Sequence, residues 1–298
     1  MNESISLVIV ILQGKAKLAR CLQAIQAQDG PPPVEIVVPF DDTFPDLPAL
    51  QAGYPAVQFV PLHGRRTYAE LRTAGIKQTH GDIVAITEDH CIPAPGWLAA
   101  IRRAHQQPHA AVGGPVDKYR PDTAVNWALY FADYVRYALP LPAGPSHNLT
   151  DCNVTYKRAA LDAIAPSWQT EFHEPEVHAA LQARGESLWF DPEVRVLQQR
   201  DMPLGAALRD RFAFGRLFGS RRALAAPLSR RLIFLASSLV LPLLLVARVV
   251  GHVRARRRYA AELLPALPAV ILLNTTWAFG EFVGYLTGRA GTLEVTPK

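Results

Sequence analysis

The feature that most limits how this chain can fold is an alternation. Four short apolar, β-branched runs, SISLVIVIL (4–12), VEIVVPF (34–40), AVQFVPL (56–62) and GDIVAIT (81–87), punctuate its first ninety residues. Stretches of helical character lie among them. KAKLARCLQAIQAQ (15–28) sets Leu18, Cys21, Leu22 and Ile25 at helical spacing, and TYAELRTAGIKQT (67–79) reads as a second helix. GPPP (30–33) ends the first helix, because proline lacks the N–H that the next turn needs. Strands too apolar to face water on either side, alternating with helices, predict an α/β fold with a mostly parallel sheet flanked by helices.

Such sheets take ligands at the carboxyl ends of their strands. Two acidic clusters fall there: Asp41 and Asp42 after VEIVVPF, and Glu88, Asp89 and His90 after GDIVAIT. Both are expected to face one crevice. A buried strand does not normally finish in three adjacent ionisable groups unless they hold something. Carboxylate and imidazole together suit a divalent cation of the Mn2+ kind better than Ca2+. An ion in such a crevice commonly neutralises a diphosphate.

Farther on, PGWLAAIRRAHQQ (95–107) reads as a helix and AAVGGPV (110–116) as a strand with a Gly-Gly bend. Residues 117–150 carry aromatics and prolines without a clear period and are expected to be loop and helix. CNVTYKRAALDAI (152–164) leads into a helix, EPEVHAALQARG (174–185) is a helix closed by Gly185, and SLWFDPEVRVLQQ (187–199) is a final strand region.

The last hundred residues differ in character. LIFLASSLVLPLLLVARVVG (232–251) holds one charge, Arg248, and LLPALPAVILLNTTWAFGEFVGYLTG (263–288) is a second long apolar run, with Glu281 inside it. Each is long enough to span a bilayer core. Residues 209–231 carry seven arginines and one aspartate, and 254–258 read RARRR. Basic and aromatic residues beside apolar runs suit a headgroup layer, not a nucleic-acid recognition fold. If both runs crossed the membrane, RARRR would lie opposite the domain with the acidic clusters, against the positive-inside rule. An interfacial or re-entrant arrangement removes that conflict. Three scattered cysteines without a C-x-x-C pair argue against a zinc module or a disulfide framework and suit a reducing compartment. The N-terminus, MNESISLVIVIL, lacks a basic n-region and reads as a first strand, not a signal peptide. The expected organisation is one domain over 1–205, a basic and aromatic juxtamembrane segment over 206–231, two apolar membrane helices over 232–288 and a tail over 289–298.

The order SLVIVIL, EIVVPFDD, LRTAGIKQTHGDIVAITEDHCIPAPGWL, CNVTYKRAAL and FHEPEVHAALQARG resembles a family-two glycosyltransferase of the GT-A fold over residues 4–200. The resemblance lies in order and spacing, not in any single motif. Such enzymes carry a D-x-D motif ahead of a Trp-Leu pair. Counting back from Trp97 places its first position on Glu88 and its last on His90, so this chain has E-x-H. The resemblance implies that Glu88 and His90 hold the metal, with Glu88 and Asp89 at the donor. It assigns Asp41 and Asp42 to the base and ribose of a nucleotide. LRTAG (71–75) resembles the family's A-R-N-x-G, which puts Arg72 near that nucleotide. The segment with Asn153 resembles a loop that shapes the acceptor side. The family's catalytic base sits in an E-D pair at a helix start, eleven residues before a glycine. Counting back from Gly185 gives Glu174, with His173 in the first position on the acceptor side and Glu176 as competitor. The family's Q-x-x-R-W motif is absent, which argues against a processive cellulose- or chitin-type synthase.

The function so implied is a membrane-anchored, inverting glycosyltransferase. It would use a nucleotide-sugar donor, Mn2+ or Mg2+, and a lipid or lipid-linked glycan acceptor. Its catalytic domain would lie on the cytoplasmic face of the inner or plasma membrane. A polyprenyl-phosphate sugar transferase is the alternative within the fold. A nucleotide-binding membrane scaffold without turnover is the alternative outside enzymes.

Overall fold

The computed structural model describes residues 3–44, 47–119, 122–224 and 226–291. The tail expected over 289–298 lies outside the described residues from position 292 onward. In chain order the elements are β1 (Ile5–Val10), α1 (Lys15–Gln26), β2 (Glu35–Asp41), α2 (Leu47–Gln51), β3 (Val57–Leu62), α3 (Tyr68–Lys77), β4 (Ile83–Glu88), β5 (Cys91–Pro93), α4 (Trp97–His105), β6 (Ala111–Gly113) and β7 (Val116–Lys118). There follow α5 (Ala124–Asp133), β8 (Gly144–Pro145), β9 (Asn153–Lys157), α6 (Arg158–Ala163), α7 (Glu174–Ala183), β10 (Leu188–Phe190), β11 (Val196–Gln198), α8 (Leu204–Leu224), α9 (Leu228–Ser237), α10 (Leu241–Arg256) and α11 (Ala260–Thr287). The chain forms two compact units, one within Met1–Asp117 and Tyr137–Gln199, the other within Lys118–Arg136 and Arg200–Lys298.

The first unit is built on an eight-stranded sheet of order β3-β2-β1-β4-β9-β6-β10-β8. The first four strands of that order pair in parallel, as their largely apolar sequences predict. The sheet is mixed beyond them, because β9 runs antiparallel to both β4 and β6. Val8, Val84, Ile86, Val154 and Tyr156 pack from the sheet against Leu161, Phe172 and Leu181 in one core. Helix α3 lies unusually close to β1: a side chain at Gly75 would collide with Val8 and press on Pro39.

Two runs read as single strands are each divided. AAVGGPV supplies β6 to the large sheet and β7 to a three-stranded sheet of order β5-β11-β7. SLWFDPEVRVLQQ divides likewise into β10 and β11. The chain changes sheets at Gly114 and at a turn over Asp191–Val194, where the Val194 N–H donates to the Asp191 carbonyl. These two crossings touch, since a side chain at Gly114 would overlap the Val194 carbonyl.

The second unit is helical. Helices α8 and α11 each carry a G-x-x-x-G step, Gly215/Gly219 and Gly280/Gly284, and these meet face to face. A methyl on any of the four would overlap backbone of the facing helix. Small residues at this spacing let two helix backbones approach closely. Trp127 and Tyr130 of α5 pack on Tyr259 at the start of α11. Among the described residues only α11 is by itself long and apolar enough to cross a membrane. The apolar run 232–251 is not one helix: α9 and α10 meet at a bend of 61°. Pro242 in the first turn of α10 explains the break, since its ring fits a helix start but not an interior.

Candidate active site

The site lies in the first unit, at the carboxyl end of β4. Glu88 ends that strand, Asp89 and His90 form the turn into β5, and none of the three is more than 3% exposed. Arg72 approaches from α3. That helix is fixed at its start by a capping box, in which Thr67 accepts from the Glu70 N–H and Glu70 accepts from the Thr67 N–H. Such a cap satisfies the orphan donors of the first turn and sets the helix entry. Arg72 Nη2 donates to Glu88 Oε1 at 2.7 Å and lies 2.5 Å from Asp151 Oδ2. The Asp151 N–H in turn donates to Glu174 Oε2 at 3.0 Å. Three carboxyl groups therefore gather around one buried guanidinium.

The electrostatics follow from this crowding. Burial, followed by the Asp151 charge, pushes Glu88 above the usual carboxylate range, against the pull of His90 and Arg72. Burial works against the charge on Arg72, but Asp151, Glu88 and Glu174 outweigh it and hold the guanidinium protonated. Below the cluster, Tyr156 and His178 share a hydrogen bond of 2.9 Å. Burial draws His178 down to about 4, with Asp151 opposing.

The remaining expected site residues divide between crevice and frame. Asp41 and Asp42 hold the loop between β3 and α3. The Arg66 and Gly64 N–H groups donate to Asp41 Oδ2 and Asp42 Oδ2, both at 2.7 Å. Strand β1 separates β2 from β4, so these aspartates stand roughly two strand spacings, about 10 Å, from Glu88. Asp89 turns toward the loop after β1, where the Gln13 and Gly14 N–H groups donate to its Oδ2 at 2.7 and 2.8 Å. Asn153 is wholly buried and fully engaged. It accepts from Trp97 Nε1 at 3.0 Å and donates to the carbonyls of Val194 and Pro115 at 2.7 and 3.2 Å. Its side chain thus ties the frame together and does not face the crevice. His173 stands at the position just before α7 and pairs with Glu171 at 2.8 Å. Glu174 is half-buried beside the cluster, whereas Glu176 is exposed.

Asp151 was not anticipated from sequence. Its signal lies in the pairing of β4 with β9. The register Thr87↔Asn153 runs antiparallel, so the residues just before Asn153 must lie beside those just after Thr87. An all-parallel reading of the sheet hides that neighbourhood.

The donor set can be tested against a divalent cation. Glu88 Oε2 and His90 Nε2 lie 3.5 Å apart, an oxygen and a nitrogen of the kind that bind Mn2+-like ions. Among the described residues no group of three or more His, Cys, Asp and Glu is arranged to hold a metal. The pair fits an ion that takes its other ligands from a bound diphosphate and water, as Mg2+-type sites do. The excess of carboxylates over guanidinium favours the same conclusion, because a diphosphate cannot approach them without a compensating cation.

The glycosyl transferase family 2 profile matches residues 6–165, more than half of the 298 residues. A mannosyltransferase from Pyrobaculum calidifontis, solved with GDP-Man and Mn2+, is similar in fold, with a TM-score of 0.57 and 16% identity. The likeness covers 96% of this chain and 88% of that one. GalNAc-T7, solved with UDP, GalNAc and Mn2+, aligns over 67% of this chain and 44% of its own, with a TM-score of 0.49 and 15% identity. A search of curated proteins returns no match. The profile match and the fold agree with the strand-end site: the chain belongs to glycosyl transferase family 2.

Proposed function

We propose that the protein moves a sugar from a nucleotide-sugar donor to a lipid or lipid-linked glycan at the cytoplasmic face of a membrane, inverting the anomeric centre. The observation that carries this reading is the gathering of Glu88, Asp151 and Glu174 around Arg72 at the carboxyl end of β4. Asp41 and Asp42, about two strands away, suit the nucleoside end of the donor. Glu88 and His90 would hold a divalent cation, Mn2+ or Mg2+, which when bound supplies positive charge to the leaving diphosphate.

The acceptor oxygen attacks the anomeric carbon as the bond from that carbon to the diphosphate breaks. The acceptor proton passes to Glu174, which is half-buried beside the cluster at a helix start. Arg72 holds Glu88 and Asp151 in fixed geometry and keeps a positive charge near the departing phosphates. Membrane anchoring belongs to the second unit. The support for it is α11 and the exposed leucines of α9 and α10.

Metal-dependent nucleotide binding tests the donor half. Full-length protein should bind a nucleoside diphosphate in the presence of Mn2+, and His90→Ala should weaken that binding severely. Unchanged Mn2+-dependent affinity in the variant would remove Glu88 and His90 as ligands.

A further inference from the structure

Resting on the membrane reading above, we infer that the helical unit is monotopic: it seats in one leaflet of an anionic bilayer and sends no helix across. The outer stripe of α11 is apolar and exposed at Leu264, Ile271, Phe279 and Leu286. That stripe is about 33 Å long at the rise of a helix, close to the thickness of a hydrocarbon core, so length alone permits a crossing. Its neighbour does not. The glycine contacts run in step, Gly280 against Phe212 and Arg216, Gly284 against Arg216 and Ser220. Helices α8 and α11 are therefore parallel and side by side over the carboxyl-terminal half of α11.

This arrangement fixes arginines beside the apolar residues. The Arg211 guanidinium lies 5.7 Å from the centre of the Trp277 ring, Arg222 Nη1 donates to the Tyr285 hydroxyl at 3.2 Å, and Arg216 Nε donates to the Arg289 carbonyl at 3.0 Å. A crossing by α11 would carry α8 into hydrocarbon with it. Arg211 would then stand beside Trp277, near the middle of the stripe, together with its partner Asp133 at 2.5 Å, and one arginine at the bilayer centre costs about 2.5–3.5 kcal/mol even on insertion scales. The bent pair is no better suited to crossing. Its uncharged stretch runs only from Leu232 to Ala247, about 24 Å even as a straight helix, and the bend of 61° shortens it.

One leaflet accommodates both features. The bend presents Leu239, Leu243 and Leu244, each more than half exposed, to acyl chains. Arg230 and Arg231 before the run, with Arg248 and the RARRR segment after it, suit anionic headgroups, each near-surface arginine contributing about 1 kcal/mol. The apolar and basic residues then serve one surface, and RARRR stays on the same side as the catalytic unit.

The test uses the full-length chain. It should float with vesicles of phosphatidylcholine and phosphatidylglycerol, much less with phosphatidylcholine alone, and alkaline carbonate should release it from native membranes. Leu239→Asp with Leu243→Asp, both exposed and so tolerable to the fold, should weaken vesicle affinity by at least about tenfold. Arg257→Cys in sealed vesicles should react with an impermeant maleimide from the side that carries the catalytic unit. The native thiols Cys21, Cys91 and Cys152 are buried and leave the label to position 257. Resistance to carbonate with labelling from the opposite side overturns the monotopic arrangement and leaves membrane anchoring standing. A chain that is soluble and floats with neither vesicle overturns both.

Discussion

Arg72 is the residue around which the site is organised, and its neighbours divide the chemistry. Glu88 and Asp151 meet it directly, while Glu174, the proposed base, lies one hydrogen bond farther out. Glu174→Gln keeps the shape and removes the proton acceptor. Sugar transfer to a hydroxyl acceptor should fall by about 10²–10⁴-fold, with the donor Kd little changed, and Glu176→Gln should cost far less. Steady-state transfer and donor titration on both variants check this. Full activity in Glu174→Gln would favour a phosphate acceptor, which arrives ionised and needs no base.

His178 makes a different prediction. Its pKa falls from the ordinary 6.5 to about 4 in the folded chain, and no described residue partners its Nδ1. The stability tied to its neutral form is complete above about pH 6.5 and drains away as pH falls toward about 4, on the order of 3 kcal/mol. Urea unfolding across that range should show the loss, and His178→Gln should flatten it; equal slopes in both proteins would contradict the assignment. The position of Glu88 and His90 at a strand end was legible from sequence because the ionisable groups follow an apolar run, whereas Glu174 came from the family resemblance, by its distance from Gly185. Asp151 and the true engagement of Asn153 were not, because both depend on an antiparallel partner strand that local pattern does not reveal.

At the scale of elements, sequence pattern found the strands and helices that are continuous and missed the points where the chain turns between layers. The first four strands and helices α1 and α3 are legible because their apolar residues keep strand or helical spacing, whereas the short α2 carries no such pattern. The divisions of 110–116 and 187–199 are not, because each half alone carries an ordinary strand pattern and only the second sheet explains the switch. The broken run 232–251 held its signal in Pro242, which a count of apolar residues overlooks. The glycines of the helical unit allow a paired comparison. Gly284→Ala places a methyl against the Arg216 carbonyl and should lower stability by about 1–3 kcal/mol. Gly251→Ala, in the open interior of α10, should raise it by roughly 0.5–1 kcal/mol. Thermal unfolding of the two variants reads both signs, and a neutral Gly284→Ala would mean that α8 and α11 are not in backbone contact.

For the whole molecule, the proposed tasks fall on different units. The sheet unit holds the strand-end acids and the Arg72 cluster, and the helical unit carries the exposed leucines and the arginines. The family was visible in the order and spacing of five segments. Which sugar, base and acceptor are used is set by surfaces that spacing does not encode. The central claim is that this chain turns over a nucleotide-sugar at the cluster of Glu88, Asp151 and Glu174. Release of nucleoside diphosphate from a panel of nucleotide-sugars, with Mn2+ and with chelator, measures it most directly. The account predicts release from at least one donor, abolished by chelator and reduced by at least about tenfold in Glu88→Gln. No release from any donor, or release untouched by chelator and by Glu88→Gln, would contradict it.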